Sequence, residues 1–170
     1  MLIDIHTHAR FTPPVGHPAD RTRPMVDDLV TMLDEHGIDK AVVLCAVSPE
    51  CRHFHDTPEE VLAAHRKHPD RVIPFCSVDP RMVSNSPDAD FGPLLEQYRD
   101  AGFKGIGEYI PNIPFDDPLN MNVFRQVEEA GLPLTFHIGP TLGGCYGCYD
   151  ELGLPRLEKV LRAFPKLKLF

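Results

Sequence analysis

Short apolar runs alternate with longer amphipathic segments along the whole of this chain, and that alternation restricts the fold more than any other feature. Leu2 to His6 reads as a strand. Met25 to His36 carries apolar residues at Met25, Val26, Leu29, Val30 and Leu33, the spacing of one helix face, and Gly37 serves as its stop. Lys40 to Val47 is almost continuously apolar, as expected of a strand covered on both faces. The pattern then repeats. Thr57-Pro58-Glu59-Glu60 opens a helix with a capping-box sequence and runs to about His68. Strands are predicted at Val72 to Val78, Lys104 to Glu108, Leu132 to His137 and Lys166 to Phe170. Helices are predicted from Asp90 to Ala101, stopped by Gly102, from Asp117-Pro118 to Gly131, and from Glu151 to Phe164. Strand, helix, strand at intervals of roughly thirty residues means βαβ units and a parallel sheet.

Two architectures are built from such units, a doubly wound open sheet and a (β/α)8 barrel. A dinucleotide-binding open sheet carries a glycine-rich phosphate loop after its first strand. Here the first strand ends in His6-Thr7-His8 instead, which favours the TIM barrel. A closed barrel takes eight units and about 250 residues. This chain of 170 residues supplies five βα units and the start of strand six. An apolar strand makes a poor end to a sheet, because it leaves an unpaired edge. The expectation is therefore that residues 1–170 are the N-terminal part of a single barrel domain that continues by on the order of 80–150 residues.

Composition narrows the function classes. With 42% hydrophobic and 25% charged residues the chain resembles ordinary globular proteins, and no apolar run reaches the roughly 18 residues of a membrane span. A net charge of −8 with no Lys/Arg cluster argues against a nucleic-acid partner. The start shows no basic leader with a long apolar stretch, and the five cysteines are odd in number, so reduced thiols and a cytoplasmic location are expected. A homo-oligomer is left open.

The chemistry concentrates at strand ends. In a strand, side chains alternate with period two, so His6 and His8 point the same way. At the C-terminal end of a barrel strand that direction can be the mouth, where active sites are built, and two neutral imidazoles suit a divalent transition metal such as zinc. A polar strand end without metal is the alternative for this motif alone. His137 ends the otherwise apolar Leu134-Thr135-Phe136, where a partnerless buried imidazole would be costly, and it is expected at the same mouth. Glu108, closing Gly105-Ile106-Gly107, is a fourth candidate ligand or a residue that orients ligands or substrate. Among the nine histidines, His36, His65 and His68 fall on helices and read as solvated, and His53 and His55 sit in a loop. Arg10, Tyr109 and Tyr146 are the candidate substrate contacts, Arg10 for a carboxylate. His17, Arg21, Arg23 and Tyr149 are secondary ones. Cys145 and Cys148 form a Cys-x-x-Cys without the second pair a structural zinc needs, and read as loop residues shaping the pocket.

Ile3-Asp4-Ile5-His6-Thr7-His8 followed by His137 at the end of the fifth strand resembles the amidohydrolase superfamily, in the amidohydrolase 2 branch of aminocarboxymuconate-semialdehyde decarboxylase and related enzymes. Leu154-Pro155-Arg156-Leu157 through Phe164-Pro165-Lys166-Leu167-Lys168 is similar to the helix and strand that precede a sixth-strand histidine in that branch. The resemblance implies a distorted (β/α)8 barrel holding one or two divalent metals, zinc or manganese, with His6, His8 and His137 as ligands. It implies a metal-activated water acting on a small organic substrate. It places a further histidine, and an aspartate that is both ligand and general base, beyond Phe170. Gly107-Glu108-Tyr109 also resembles TatD-like hydrolases, in which a glutamate after strand four binds metal, so a two-metal site stays open. Hydrolysis of a C–N, C–O or ester bond leads. Non-oxidative decarboxylation of an unsaturated or aromatic acid uses the same site, and a non-catalytic binding protein on the same scaffold is the reading from another class.

Overall fold

A computed structural model describes residues 1–13, 23–49, 56–143 and 147–170. Six strands form one parallel sheet: β1 (Ile3–Thr7), β2 (Lys40–Val43), β3 (Val72–Cys76), β4 (Gly105–Tyr109), β5 (Pro133–Phe136) and, at the far edge, β8 (Lys168–Leu169), in the order β1-β2-β3-β4-β5-β8. Helices α1 (Val26–Glu35), α2 (Pro58–Lys67), α3 (Gly92–Ala101), α4 (Pro118–Ala130) and α5 (Pro155–Ala163) connect them. After β5 two short strands, β6 (Ile138–Gly139) and β7 (Cys148–Tyr149), pair with each other. The result is a curled half-barrel, as the strand–helix alternation predicts. Strand lengths differ from the expectation chiefly at β2, which leaves the ladder at Val43 although its apolar run continues to Val47. Among the described residues no helix is long and apolar enough to cross a membrane.

The helix-covered face carries the main core. Val26, Leu29 and Leu33 of α1, Val61 and Ala64 of α2, Leu95 of α3, and Val123 and Val127 of α4 pack on Ala41, Val43, Val72, Ile106 and Leu134. Each fully buried aliphatic chain of this kind contributes about 1.5–3 kcal/mol. The concave face has a smaller cluster, Val42, Leu44 and Phe75 with Ile3 and Ile73. Gly105 makes room for it: a Cβ there would lie 2.4 Å from the Phe75 ring.

The helix starts are fixed by side chains read from the sequence and by others that are not. Thr57 Oγ1 accepts from the Glu60 amide at 3.4 Å, half of the predicted capping box. The Glu60 carboxylate does not return to the cap. It accepts instead from the amides of Phe11 and Thr12 at 3.0 and 2.8 Å and from the Thr12 hydroxyl, fastening the segment after β1 to α2. Asp117 caps α4 through the Leu119 amide at 2.9 Å. Gln126 of α4 accepts from the Phe91 and Gly92 amides at the start of α3, and Asp150 accepts from the Arg156 and Leu157 amides of α5. Both reach orphan amides from a distance in sequence.

Two register shifts set the faces of the strands that matter for the site. Asp4 aligns with Ala41 and Thr7 with Val43, so β1 takes three steps where β2 takes two. Ile106 aligns with Leu134 and Tyr109 with Phe136, the same excess in β4 against β5. Each is a bulge of one extra residue, which re-aims the side chains beside it. Thr7 and Tyr109 align with residues that pack on the helix side, so His6, His8 and Glu108 take the concave face.

Candidate metal centre

At the C-terminal ends of β1, β4 and β5, three imidazoles surround one carboxylate. Glu108 is almost wholly buried, its side chain 4% exposed. His137 Nδ1 lies 3.0 Å from Glu108 Oε1, His8 Nε2 3.3 Å from Oε2, and His6 Nε2 3.9 Å from Oε1. The ligand atoms of His6, His8 and Glu108 all fall within 4.8 Å of one another. The His6 and His8 rings meet edge to face with centroids 5.4 Å apart.

These distances decide what the cluster can hold. Two ligands each about 2.1 Å from one ion are at most about 4.2 Å apart. The His6 and His8 separations from Glu108 satisfy that limit, and the His137 Nδ1 contact is a hydrogen bond to the same carboxylate. The protonation states suit it as well. Burial holds His6 below the ordinary histidine value, and His8 and His137 push the same way against the pull of Glu108, which favours the neutral imidazole. Burial works to raise the Glu108 pKa, but the hydrogen bond from His8 and the three nearby imidazoles outweigh it, and the carboxyl titrates below its usual range. An ionised Glu108 is acceptor-only, so His137 donates through Nδ1 and turns Nε2 into its lone-pair nitrogen. The donor set of nitrogen and carboxylate oxygen fits zinc or manganese, and among the described residues His6, His8 and Glu108 are the ones whose ligand atoms would hold it, with His137 beside them on Glu108.

The same bulges that bring these groups together take Tyr109 away. Its ring is fully buried, 5.5 Å from Phe124 between centroids, and its hydroxyl donates to Asn120 Oδ1 at 2.7 Å. It faces the helices, so it is a core residue and the expectation of a substrate contact is corrected. Cys148 also departs from its reading as a pocket-shaping loop residue: it is a buried free thiol in β7, packed into the main core. Tyr149 has Arg156 over its ring at 5.4 Å. Arg10 lies half-buried just after β1, with its backbone bridged to Met25. Tyr146, Cys145, His17, Arg21, His53 and His55 lie outside the described residues. His65 and His68 are engaged, with Nδ1 of His65 2.8 Å from the Val72 carbonyl and Nε2 of His68 2.7 Å from Asp27.

Sequence reasoning missed Asp56. It is buried, 3% exposed, at the mouth end of β2, where its carbonyl accepts from the Ala46 amide at 3.0 Å. Its carboxylate pairs with Arg23 and lies 4.0 Å from His8 Nδ1. Lying beside a helix cap, it reads in sequence as one more polar residue at a helix start.

A family model described as amidohydrolase, of the amidohydrolase 2 type, matches residues 3–170. The chain belongs to this family. Among curated proteins none matches. Among solved structures, the amidohydrolase chain is similar to the 5-carboxyvanillate decarboxylase of Sphingomonas paucimobilis, at 16% identity and TM-score 0.64, over 99% of this chain and 66% of that one. It is similar to a dihydroxybenzoic acid decarboxylase of a Polaromonas species with bound manganese and the inhibitor 2-nitroresorcinol, at 17% identity and TM-score 0.59, over 99% and 64%. It is also similar to a probable 2-pyrone-4,6-dicarboxylic acid hydrolase of Acinetobacter baumannii, at 17% identity and TM-score 0.51, over 99% and 68%. At these identities the likeness is one of fold, and the chain spans about two thirds of the length of those structures.

Proposed function

We propose that this amidohydrolase uses a divalent metal, zinc first and manganese second, to hydrolyse a small organic substrate at the barrel mouth. The observation that carries the proposal is the convergence of His6, His8 and His137 on the buried carboxylate of Glu108. A metal held there would supply Lewis acidity and lower the pKa of water. The chain's own groups do the rest. Glu108 fixes the orientation of the imidazoles and balances charge, His6 and His137 remain 45% and 39% exposed toward the mouth, and Arg10 offers a cation to a substrate carboxylate. The proton-transferring base is assigned to none of these residues.

Non-oxidative decarboxylation of an aromatic or unsaturated acid is the second reading, favoured by the two decarboxylases of similar fold. The same metal and the same carboxylate-binding cation serve both. We place the protein in the cytoplasm and its partner class as small molecules. Metal analysis of the purified protein tests the centre: about one or two equivalents of zinc or manganese are expected, and a His6→Ala variant should lose them. A substrate panel scored both for carbon dioxide release and for hydrolysis products separates the two reactions. Full activity after exhaustive chelation would reject the metal reading.

A further inference from the structure

We propose that Asp56, anchored by Arg23, is the positioning residue that holds His8 for ligation through Nε2; this rests on the metal reading above. The two nitrogens of the His8 ring face opposite ways. Nε2 looks into the site, 3.3 Å from Glu108 Oε2, and Nδ1 looks out, 4.0 Å from Asp56 Oδ2. Nδ1 is buried and has no hydrogen-bond partner among the described residues. With an ion on Nε2 the ring's proton sits on Nδ1, where a buried N–H is costly without an acceptor, and Asp56 is the carboxylate facing it. Closing 4.0 Å to the roughly 2.9 Å of an N–H···O bond takes a ring movement of about 1 Å, and a pull on Nε2 from an ion would reset the ring on that scale.

Asp56 is built to stay where it is. A buried carboxylate needs a partner, and Arg23 pairs with it from the segment that returns from β1 to α1. That segment is tied down in turn, since the Arg10 amide donates to the Pro24 carbonyl at 2.9 Å and the Val26 amide to the Arg10 carbonyl at 2.8 Å. The Asp56 backbone is joined to β2 through Ala46. A carboxylate fixed from two sides accepts from Nδ1–H, leaves the lone pair on Nε2, and makes the imidazole a stronger donor to the ion. His137 is held by the same logic in mirror form, its Nδ1 on Glu108.

The test measures zinc binding, by competition with a chromophoric chelator, on the unmutated protein and on Asp56→Asn, Asp56→Ala and Asp56→Glu, with circular dichroism as the folding control. Asp56→Asn and Asp56→Ala should bind zinc about 10- to 100-fold more weakly, and Asp56→Glu should recover part of the loss. Long-range ¹⁵N–¹H spectra of the unmutated zinc-loaded protein, with His8 assigned by its loss in His8→Gln, should show Nδ1 protonated and Nε2 metal-bound. That arm stands even if every Asp56 variant misfolds. Unchanged affinity in folded Asp56→Asn, or ligation through Nδ1, overturns the proposal while the metal centre stands. An unmutated protein that binds no zinc or manganese overturns the metal reading and this inference with it.

Discussion

Removing the Tyr109 hydroxyl separates a core role from a catalytic one. In Tyr109→Phe the ring and its contact with Phe124 remain, and one hydrogen bond is lost, the 2.7 Å donation to Asn120 Oδ1. The net value of such a bond is about 0.5–1.5 kcal/mol, but its partner is left behind. Asn120 is fully buried, and its amide nitrogen is committed to the Pro114 carbonyl at 2.7 Å, so the side chain cannot turn to find a substitute. The stranded oxygen raises the expected cost to about 1–3 kcal/mol. Burial pushes the phenol pKa well above its ordinary value, so the donor stays protonated and the cost should not vary with pH between about 5 and 9. Urea unfolding should show a lower midpoint at unchanged slope, with kcat/KM within a few-fold of the parent. Replacing both partners with apolar residues, Tyr109→Phe with Asn120→Leu, should cost less than the sum of the single changes. A ten-fold or greater fall in kcat/KM with an unchanged midpoint would refute the placement of this side chain in the core.

Three further outcomes are expected. Glu108→Gln keeps an acceptor for His137 but removes the charge among three imidazoles: a fall in zinc affinity of about 10- to 100-fold marks it as an orienting group, and a larger one as a ligand, whereas no change would discount the centre. Gly107→Ala should destabilise by about 1–3 kcal/mol, because its φ is +155° and a Cβ would sit 2.9 Å from Thr135 Cβ; a neutral effect on thermal unfolding would contradict the packing. Asp116→Asn should lower stability near neutral pH, since Lys159 and then Arg156 hold the Asp116 carboxyl below its ordinary value of 3.8. A depressed carboxyl contributes stability above its unfolded pKa that is lost as pH falls through the folded one, so the difference from the parent should vanish in acid, and a difference that persists there would assign the effect to packing.

The strand–helix order, the parallel sheet and four of the helix signals were legible because they depend on local pattern: apolar runs, the Thr57 and Asp117 caps, and the glycines after α3 and α4. His6, His8, Glu108 and His137 were legible because polar groups at the ends of apolar strands have few bland explanations. What the sequence hid was parity. Counting by two from the core residue Ile106 puts Glu108 with the helices and Tyr109 at the mouth, since the register shift between Ile106 and Tyr109 leaves no mark in residue type. Asp56 was hidden differently: its role depends on Arg23 and His8, both distant in sequence, and a carboxylate before Thr57-Pro58 resembles any helix start. Glu60 fulfilled half of its motif and spent its carboxylate on the segment after β1.

The paired bulges make the centre sensitive to a kind of change that substitution does not probe. In a parallel sheet the face of a side chain follows from whether its position is odd or even along the ladder, and β1 and β4 each carry one extra residue, so that Ile5 and His6, and Gly107 and Glu108, lie between two helix-facing positions. Deleting Thr7, for example, would leave His6 and every other candidate side chain in the chain, yet would set His8 in the place aligned with Val43, on the helix side. Many point changes around the site can be absorbed by repacking; a frame of one residue cannot. The centre is thus specified by residue count along β1 and β4 as much as by residue identity.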